Sequence, residues 1–280
     1  MPDKVAVITG ASSGFGLLTS IEVARAGFRV VATMRHLGRR ADLDQAVATA
    51  GFGSGIDVRE LDITKFESMP AFVEGVVRDH GRIDVLINNA GFAVAGFAED
   101  IRLDELRLQF ETNFFGTVAL TKAVLPVMRR QHAGHIIQVS SISGLHGSLS
   151  VSSYSASKHA LEGWSESLRM EVNALGIKVV LVEPGSFQTG IWTRGAVMGK
   201  DATKDSSPNI QRSLRMRSAI ERIPKADPIV VARTIAKIAQ DPHPKLRYLV
   251  GRDAKITLAM KRILPWKWHE KFIANYLKID

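Results

Sequence analysis

Short runs of β-branched residues recur along the chain, each parted from the next by a longer stretch whose apolar residues fall at helical spacing. The runs are Val5–Thr9, Arg29–Thr33, Asp57–Leu61, Val85–Asn88, His135–Val139, Lys178–Glu183 and Tyr248–Val250. The helical stretches lie near Leu17–Ala26, Phe66–His80, Leu103–Gln131, Tyr154–Leu175 and Pro228–Gln240. Strands that are apolar throughout are buried on both faces, so the pattern predicts a seven-stranded parallel sheet with helices on each side. Gly27, Gly81, Gly134 and Gly176 each fall between a helix and the next strand, where a left-handed cap is wanted. No repeat, low-complexity segment or Ser/Gly-rich linker divides the chain, which predicts one doubly wound α/β domain over residues 1–280.

The rhythm loosens after Glu183. Pro184-Gly185 breaks the chain, and residues 186–227 are polar and basic with helical spacing around Ile210–Ile223. Ligands of open α/β sheets bind outside the carboxyl ends of the strands, so this excursion is placed to form a substrate lid; the plainer reading is a surface loop.

Composition narrows the chemistry. With 45% hydrophobic and 23% charged residues in 280, the chain is long and apolar enough for a large core. Zero cysteines exclude disulfides, thiolate metal sites and a cysteine nucleophile, and fit a reducing, cytoplasmic setting. The apolar run Val5–Ile8 is too short for a signal-peptide core, and no uncharged stretch approaches the ~20 residues of a membrane span. The histidines form no metal constellation: His132, His135 and His243 read as surface residues and His146 as part of a pocket wall. The net charge of +9 is unevenly placed. Residues 1–199 hold 19 Lys+Arg against 20 Asp+Glu, whereas residues 200–280 hold 18 against 8, a net of +10. A surplus confined to the last 81 residues argues against nucleic acid as the partner of the whole protein.

Directly after the first strand comes Thr9-Gly10-Ala11-Ser12-Ser13-Gly14-Phe15-Gly16, leading into a helix. Glycines let the backbone approach a pyrophosphate, and the N–H groups of the following helix terminus attract it; a plain tight turn is the alternative. The second strand ends Thr33-Met34-Arg35, with Met34 where an NAD-binding chain places a carboxylate. Arg35, with Arg39 and Arg40 nearby, suits the extra phosphate of NADP, unless Arg35 is merely a solvated strand-end charge. Tyr154 and Lys158 are four apart and share one face if their segment is helical. An adjacent ammonium favours the phenolate of a group whose ordinary pKa is ~10. Ser141, 13 residues before Tyr154, has a hydroxyl suited to binding a carbonyl or alcohol oxygen. Taken singly, these are an ordinary buried ring beside a surface charge and a serine in a turn.

Taken together, the Thr9–Gly16 loop, Leu61-Asp62, Asn88-Asn89-Ala90-Gly91, Asn113, Ser140-Ser141, Tyr154-Ser155-Ala156-Ser157-Lys158 and Pro184-Gly185 resemble the short-chain dehydrogenase/reductase family. The resemblance implies a Rossmann-type fold and a catalytic set of Asn113, Ser141, Tyr154 and Lys158, with Tyr154 moving the proton, Ser141 polarising the substrate, Lys158 also binding the nicotinamide ribose and Asn113 holding a relay water. It implies cofactor contacts from Gly10, Ser12, Ser13, Gly14, Phe15, Gly16, Arg35, Asp62, Ile63, Asn89, Ala90, Gly91, Pro184, Gly185 and Thr189, besides Tyr154 and Lys158. It further implies pairing of the Leu103–Gln131 and Tyr154–Leu175 helices into a homodimer or homotetramer. Phe15 departs from the family's frequent isoleucine, and Met34-Arg35 from its acidic NAD determinant. The strand end Ala32–Arg35 and the tail Lys261–Trp266 look like the 17β-hydroxysteroid and retinol dehydrogenase-like branch, which implies a lipophilic ketone, aldehyde or alcohol as substrate.

The expected function is an NADP(H)-dependent oxidoreductase; a 3-oxoacyl-type reductase and a non-catalytic dinucleotide sensor are the alternatives. Residues 253–280 mix Ile256, Ile263, Trp266 and Trp268 with Lys255, Lys261, Arg262 and Lys267 in a basic amphipathic tail. Its apolar face is expected to pack on its own domain or a second subunit, in preference to peripheral contact with a membrane.

Overall fold

The computed structural model describes residues 3–52, 55–189, 196–204, 207–222, 224–268 and 270–271. Its strands are β1 (Val5–Ile8), β2 (Arg29–Met34), β3 (Ile56–Glu60), β4 (Val85–Asn88), β5 (Ala93–Ala95), β6 (Gly134–Val139), β7 (Ile177–Pro184), β8 (Ala196–Met198) and β9 (Arg247–Val250). Seven of them form a parallel sheet in the order β3-β2-β1-β4-β6-β7-β9, and β5 pairs with β8 in a small separate sheet. The order reverses between β1 and β4, the place where α/β sheets open a crevice at their carboxyl edge.

Strand alternation divides the core into two layers. Ala6, Ile8, Val85, Ile87, Ile137 and Val180 face one side, and Val5, Val7, Leu86, Ile136 and Val179 the other. The first layer is covered by α1 (Gly14–Arg25), through Val23 and Ala24, and by α8 (Ile229–Gln240), through Val231, Ile235 and Ile238; α2 (Ala41–Ala50) adds Leu43. The second is covered by α3 (Met69–His80), α5 (Thr117–Gln131) and α6 (Ser152–Val172), whose Val76, Leu120, Val124 and Leu168 are buried. Further helices are α4 (Leu103–Phe110), α7 (Ile210–Arg222) and α9 (Arg252–Ile263).

The helix expected over Leu103–Gln131 is interrupted: α4 passes through a π-helical stretch, Glu111–Gly116, before α5 begins. Gly27, Gly81 and Gly176 adopt positive φ as their positions predict. Gly134 does not: the left-handed cap of α5 is His132, and Gly134 opens β6 where a side chain would strike Met128.

The excursion after β7 is anchored by polar bonds to the segment that follows β4. Gly199 donates to the Ala95 carbonyl and Lys200 to the Glu105 carboxylate. Ser207 and Asn209 bond the buried Asp100 carboxylate at 2.7 and 3.2 Å, and the Arg212 guanidinium lies 4.5 Å from the Phe97 ring centre. Residues 190–195, 205–206 and 223 of the expected lid, and 269 and 272–280 of the expected tail, lie outside the described residues.

At the crevice, Thr9 ties β1 to β4. Its hydroxyl oxygen accepts the backbone N–H groups of both Asn89 and Ala90 at 2.9 Å. Thr9→Val keeps the shape and orphans two donors, so unfolding in urea should show a loss of about 1–3 kcal/mol.

Candidate active site

Three loops at the carboxyl ends of β1, β4 and β7 meet around the first turn of α1. Gly10 has φ +69°, and a Cβ there would lie 2.8 Å from the Ala90 Cα; one on Gly16 would overlap the Gly10 carbonyl. Asn89 fastens this turn from below, its Nδ2 donating to the carbonyls of Thr9 (2.8 Å) and Gly10 (3.2 Å). Ser13 stands at the N-cap of α1 without a side-chain cap bond, and the first turn holds no acidic residue. Uncapped N–H groups beside a glycine turn with no room for side chains fit a pyrophosphate. Ser12, Ser13 and Gly14 are accessible, and Thr189, from the loop after β7, lies where a Cβ on Gly14 would meet it at 3.7 Å. Pro184 ends β7, and the same loop contributes Gly185 and Phe187, whose ring meets Phe15 edge to face at 5.7 Å.

On the other side, Arg35 is exposed at the end of β2 and Met34 is buried. Arg35 is close enough to Asp62 to act on its carboxyl: burial pushes that carboxyl up, but bonds from the Thr64 N–H and hydroxyl and the charges of Arg35 and Lys65 leave it below the usual range. Arg40 is held by Asp44, so of the expected basic trio it is the one already paired. The Ile63 side chain is in the core with Leu61 and Met69, which leaves only its backbone for a nucleotide. Gly91 abuts Asn113: a Cβ on it would lie 3.0 Å from Oδ1.

Asn113, Ser141, Tyr154 and Lys158 are all at least nine-tenths buried and share one neighbourhood. Ser141 accepts the Ser143 N–H at 3.1 Å and is hydrogen-bonded with Tyr154. Asn113, in the π-helical stretch, bonds both the N–H and carbonyl of Phe92, and its Nδ2 reaches the Ser157 hydroxyl at 3.2 Å. Ser157 in turn donates to the Tyr154 carbonyl. Lys158 Nζ donates to the Val139 carbonyl at 2.8 Å and lies 5.8 Å from the Tyr154 ring centre.

The electrostatics differ from the simple expectation of a lysine drawing the phenol toward ionisation. Burial dominates both groups. It pushes the Tyr154 phenol up to about 12, against the lowering effect of the Ser141 bond, and brings the Lys158 ammonium down to about 8, against the raising effect of the Glu162 carboxylate. At neutral pH the phenol holds its proton.

Sequence reading missed what lies behind Lys158. Glu162, one turn along α6, and Glu183, on β7, are both buried and both bonded to Arg247 of β9, which also pairs with Glu166. Burial and the neighbouring Glu162 push the Glu183 carboxyl well above the usual range. The available signals were an acid inside an apolar strand and the i,i+4 spacing of Lys158 and Glu162.

Comparisons with known proteins bear on the family and the fold. A profile of the family described as short chain dehydrogenase matches residues 4–196. An uncharacterized oxidoreductase, YusZ of Bacillus subtilis, is 40% identical over 99% of both chains. 3-Ketodihydrosphingosine reductase of Bacteroides thetaiotaomicron is 36% identical over 94% of this chain and 93% of its own. Retinol dehydrogenase 8 of Bos taurus is 34% identical over 94% and 86%. Among solved structures, a short-chain dehydrogenase from Streptomyces avermitilis superposes with a TM-score of 0.82 at 32% identity, covering 100% of this chain and 97% of that one. One from Burkholderia phymatum in complex with NAD gives 0.78 at 25% identity and 93% coverage of each. A metagenomic relative in complex with NADP gives 0.69 at 26%, covering 88% and 96%.

Removing the Glu162 charge takes away what holds the Lys158 ammonium up. In Glu162→Gln, NMR titration of labelled lysine side chains should show Lys158 losing its proton at lower pH than the wild type's value of about 8.

Proposed function

The chain belongs to the short-chain dehydrogenase/reductase family, and on that premise we propose that it is an NADP(H)-dependent oxidoreductase interconverting a lipophilic ketone or aldehyde and its alcohol. The observation that carries this reading is the buried Tyr154 phenol, bonded with Ser141 and backed by Lys158, beside a glycine cradle with uncapped helix N–H groups. When bound, the nicotinamide supplies or accepts the hydride. The loop Gly10–Gly16 suits the pyrophosphate, Arg35 the 2′-phosphate, and Asp62 with the Ile63 backbone the adenine side. Asn89, Ala90 and Gly91 form the floor, and Pro184, Gly185, Thr189 and Lys158 the nicotinamide end. Met34 offers no carboxylate to ribose hydroxyls, which supports NADP over NAD.

In the reductive direction, the Tyr154 hydroxyl donates its proton to the substrate carbonyl oxygen while the Ser141 hydroxyl donates a hydrogen bond to the same oxygen. A phenol that keeps its proton at neutral pH is set for that role. Lys158, held by Val139, places a positive charge where the phenolate forms and stabilises it. Both Asn113 side-chain atoms are engaged with Phe92 and Ser157, so a relay water at this residue falls to its backbone carbonyl in the π-helical stretch.

The lipophilic substrate class draws on the relatives named for 3-ketodihydrosphingosine and retinol. The anchored residues 196–204 and 207–216 lie one short strand from Tyr154, which packs with Ala93 and Val151, and this supports their part as a lid. Exposed Leu108, Phe115 and Met170 on α4–α6 support pairing of these helices between subunits. No described helix is long and apolar enough to cross a membrane.

Tyr154→Phe should still bind NADPH, followed by cofactor fluorescence, and lose about 10²–10⁴-fold in turnover of hydrophobic ketones. Undiminished turnover in this variant would sink the mechanism. Arg35→Leu should raise KM for NADPH roughly 10–100-fold while leaving that for NADH little changed, as expected for a lost charge-assisted phosphate contact.

A further inference from the structure

Where the tail is described, Leu258, Met260 and Leu264 are half-buried and another face stays in solvent. Along α9 only Ala254 is fully buried. Arg252, Lys255, Ile256, Ala259, Arg262 and Ile263 are exposed, and their spacing of three, four and seven places them on one helical face. The cations Lys255 and Arg262 line one flank of that face, and Ile256 and Ile263 the other. The chain then turns at Pro265 and presents Trp266, Lys267 and Trp268, with Ile263, Trp266 and Trp268 at 78%, 57% and 65% exposure. Over residues 252–271 six cations stand against two carboxylates. Both carboxylates are engaged, Asp253 by the Ser186 N–H at 2.6 Å and Glu270 by the Trp266 indole N–H at 2.7 Å. Among the described residues, Lys255, Arg262 and Lys267 have no carboxylate partner.

The same helix is bolted to both loops beside the catalytic pair. Its first turn holds the loop after β7 through the Asp253–Ser186 bond, against Gly185, and its last turn reaches the loop after Ser141 through the bond from Lys261 Nζ to the Leu145 carbonyl.

We propose that the outer face of α9 and the Pro265–Trp268 turn form a docking surface for an anionic lipid bilayer, which seats the active-site mouth at the membrane. Indole rings and isoleucines flanked by Lys and Arg match the headgroup boundary, where one part of the surface meets acyl chains and the other meets phosphates. A second copy of the chain is a poor occupant: a two-fold contact would set this basic face against itself. An acidic protein would answer the charges and leave the exposed indoles without an apolar counterpart. The inference rests on the lipophilic-substrate reading for what the docking delivers, and on exposure and charge alone for the docking itself.

The test is sedimentation of the full chain with phosphatidylcholine vesicles with and without phosphatidylglycerol. Binding is expected only with the anionic lipid and should weaken with salt. It should fall roughly tenfold or more in Trp266→Ala/Trp268→Ala and in Lys255→Gln/Arg262→Gln/Lys267→Gln. NADPH oxidation with a water-soluble ketone should be the same in both variants as in the wild type, which shows that they are folded. Binding to neither vesicle, equal binding to both, or wild-type binding by the variants would overturn the proposal. So would a lower assembly mass of the tryptophan variant by light scattering, which would give the face to a second copy, or retention on an acidic protein without vesicle binding. Failure of the wild type to turn over any ketone would count against the proposed activity and leave the vesicle result standing separately.

Discussion

An amine cannot be taken out of water without compensation, and much of this molecule's polar interior follows from burying one beside a phenol. Lys158 is met first by a backbone carbonyl at the end of β6, then by the Glu162 carboxylate one turn away. That carboxylate is itself buried and needs Arg247, and Arg247 gathers Glu183 and Glu166 as well. The compensation runs outward until Glu166, half exposed, returns it to solvent. Along the way it links α6, β7 and β9, so the site's electrostatics and the seam between the last two strands of the sheet are one structure.

A similar economy governs the crevice between β1 and β4. Where the strand order reverses, the chains that leave the paired strands β1 and β4 part company, and the Thr9 and Asn89 side chains tie the two exits together. Gly10 and Gly16 then have no room for a Cβ, which would strike the Ala90 backbone at the first and the Gly10 carbonyl and Asn89 amide at the second. The tightness of the glycine turn is thus a by-product of how closely the two strand ends are drawn together.

The seven main strands and the two-sided covering were legible because buried parallel strands are apolar runs that survive in any sequence reading. The strands β5 (Ala-Val-Ala) and β8 (Ala-Val-Met) were not, since each holds a single β-branched residue, and α2 buries only Leu43, too little for a stripe. The cap at His132 was misplaced to Gly134 because glycine serves equally where φ is positive and where a neighbour leaves no space; here Met128 leaves none. Tyr154 and Lys158 were legible from spacing. Their protonation was not, because desolvation depends on what the rest of the chain packs around them. Arg247, 89 positions beyond Lys158 in the chain, could be joined to it only by the fold.

The π-helical stretch Glu111–Gly116 has an effect on the whole of α5. The wider turn accommodates one residue more than an α-helical turn would, so it rotates everything after it relative to everything before it. Gln109 and Asn113 face the Phe92 loop, while Leu120 and Val124 face the sheet. A straight helix would have to share one phase between these two obligations. With the extra residue, the loop-facing and sheet-facing halves can be aligned separately, and Gly116, pressed against the Ile63 carbonyl, marks the joint where the phase is reset.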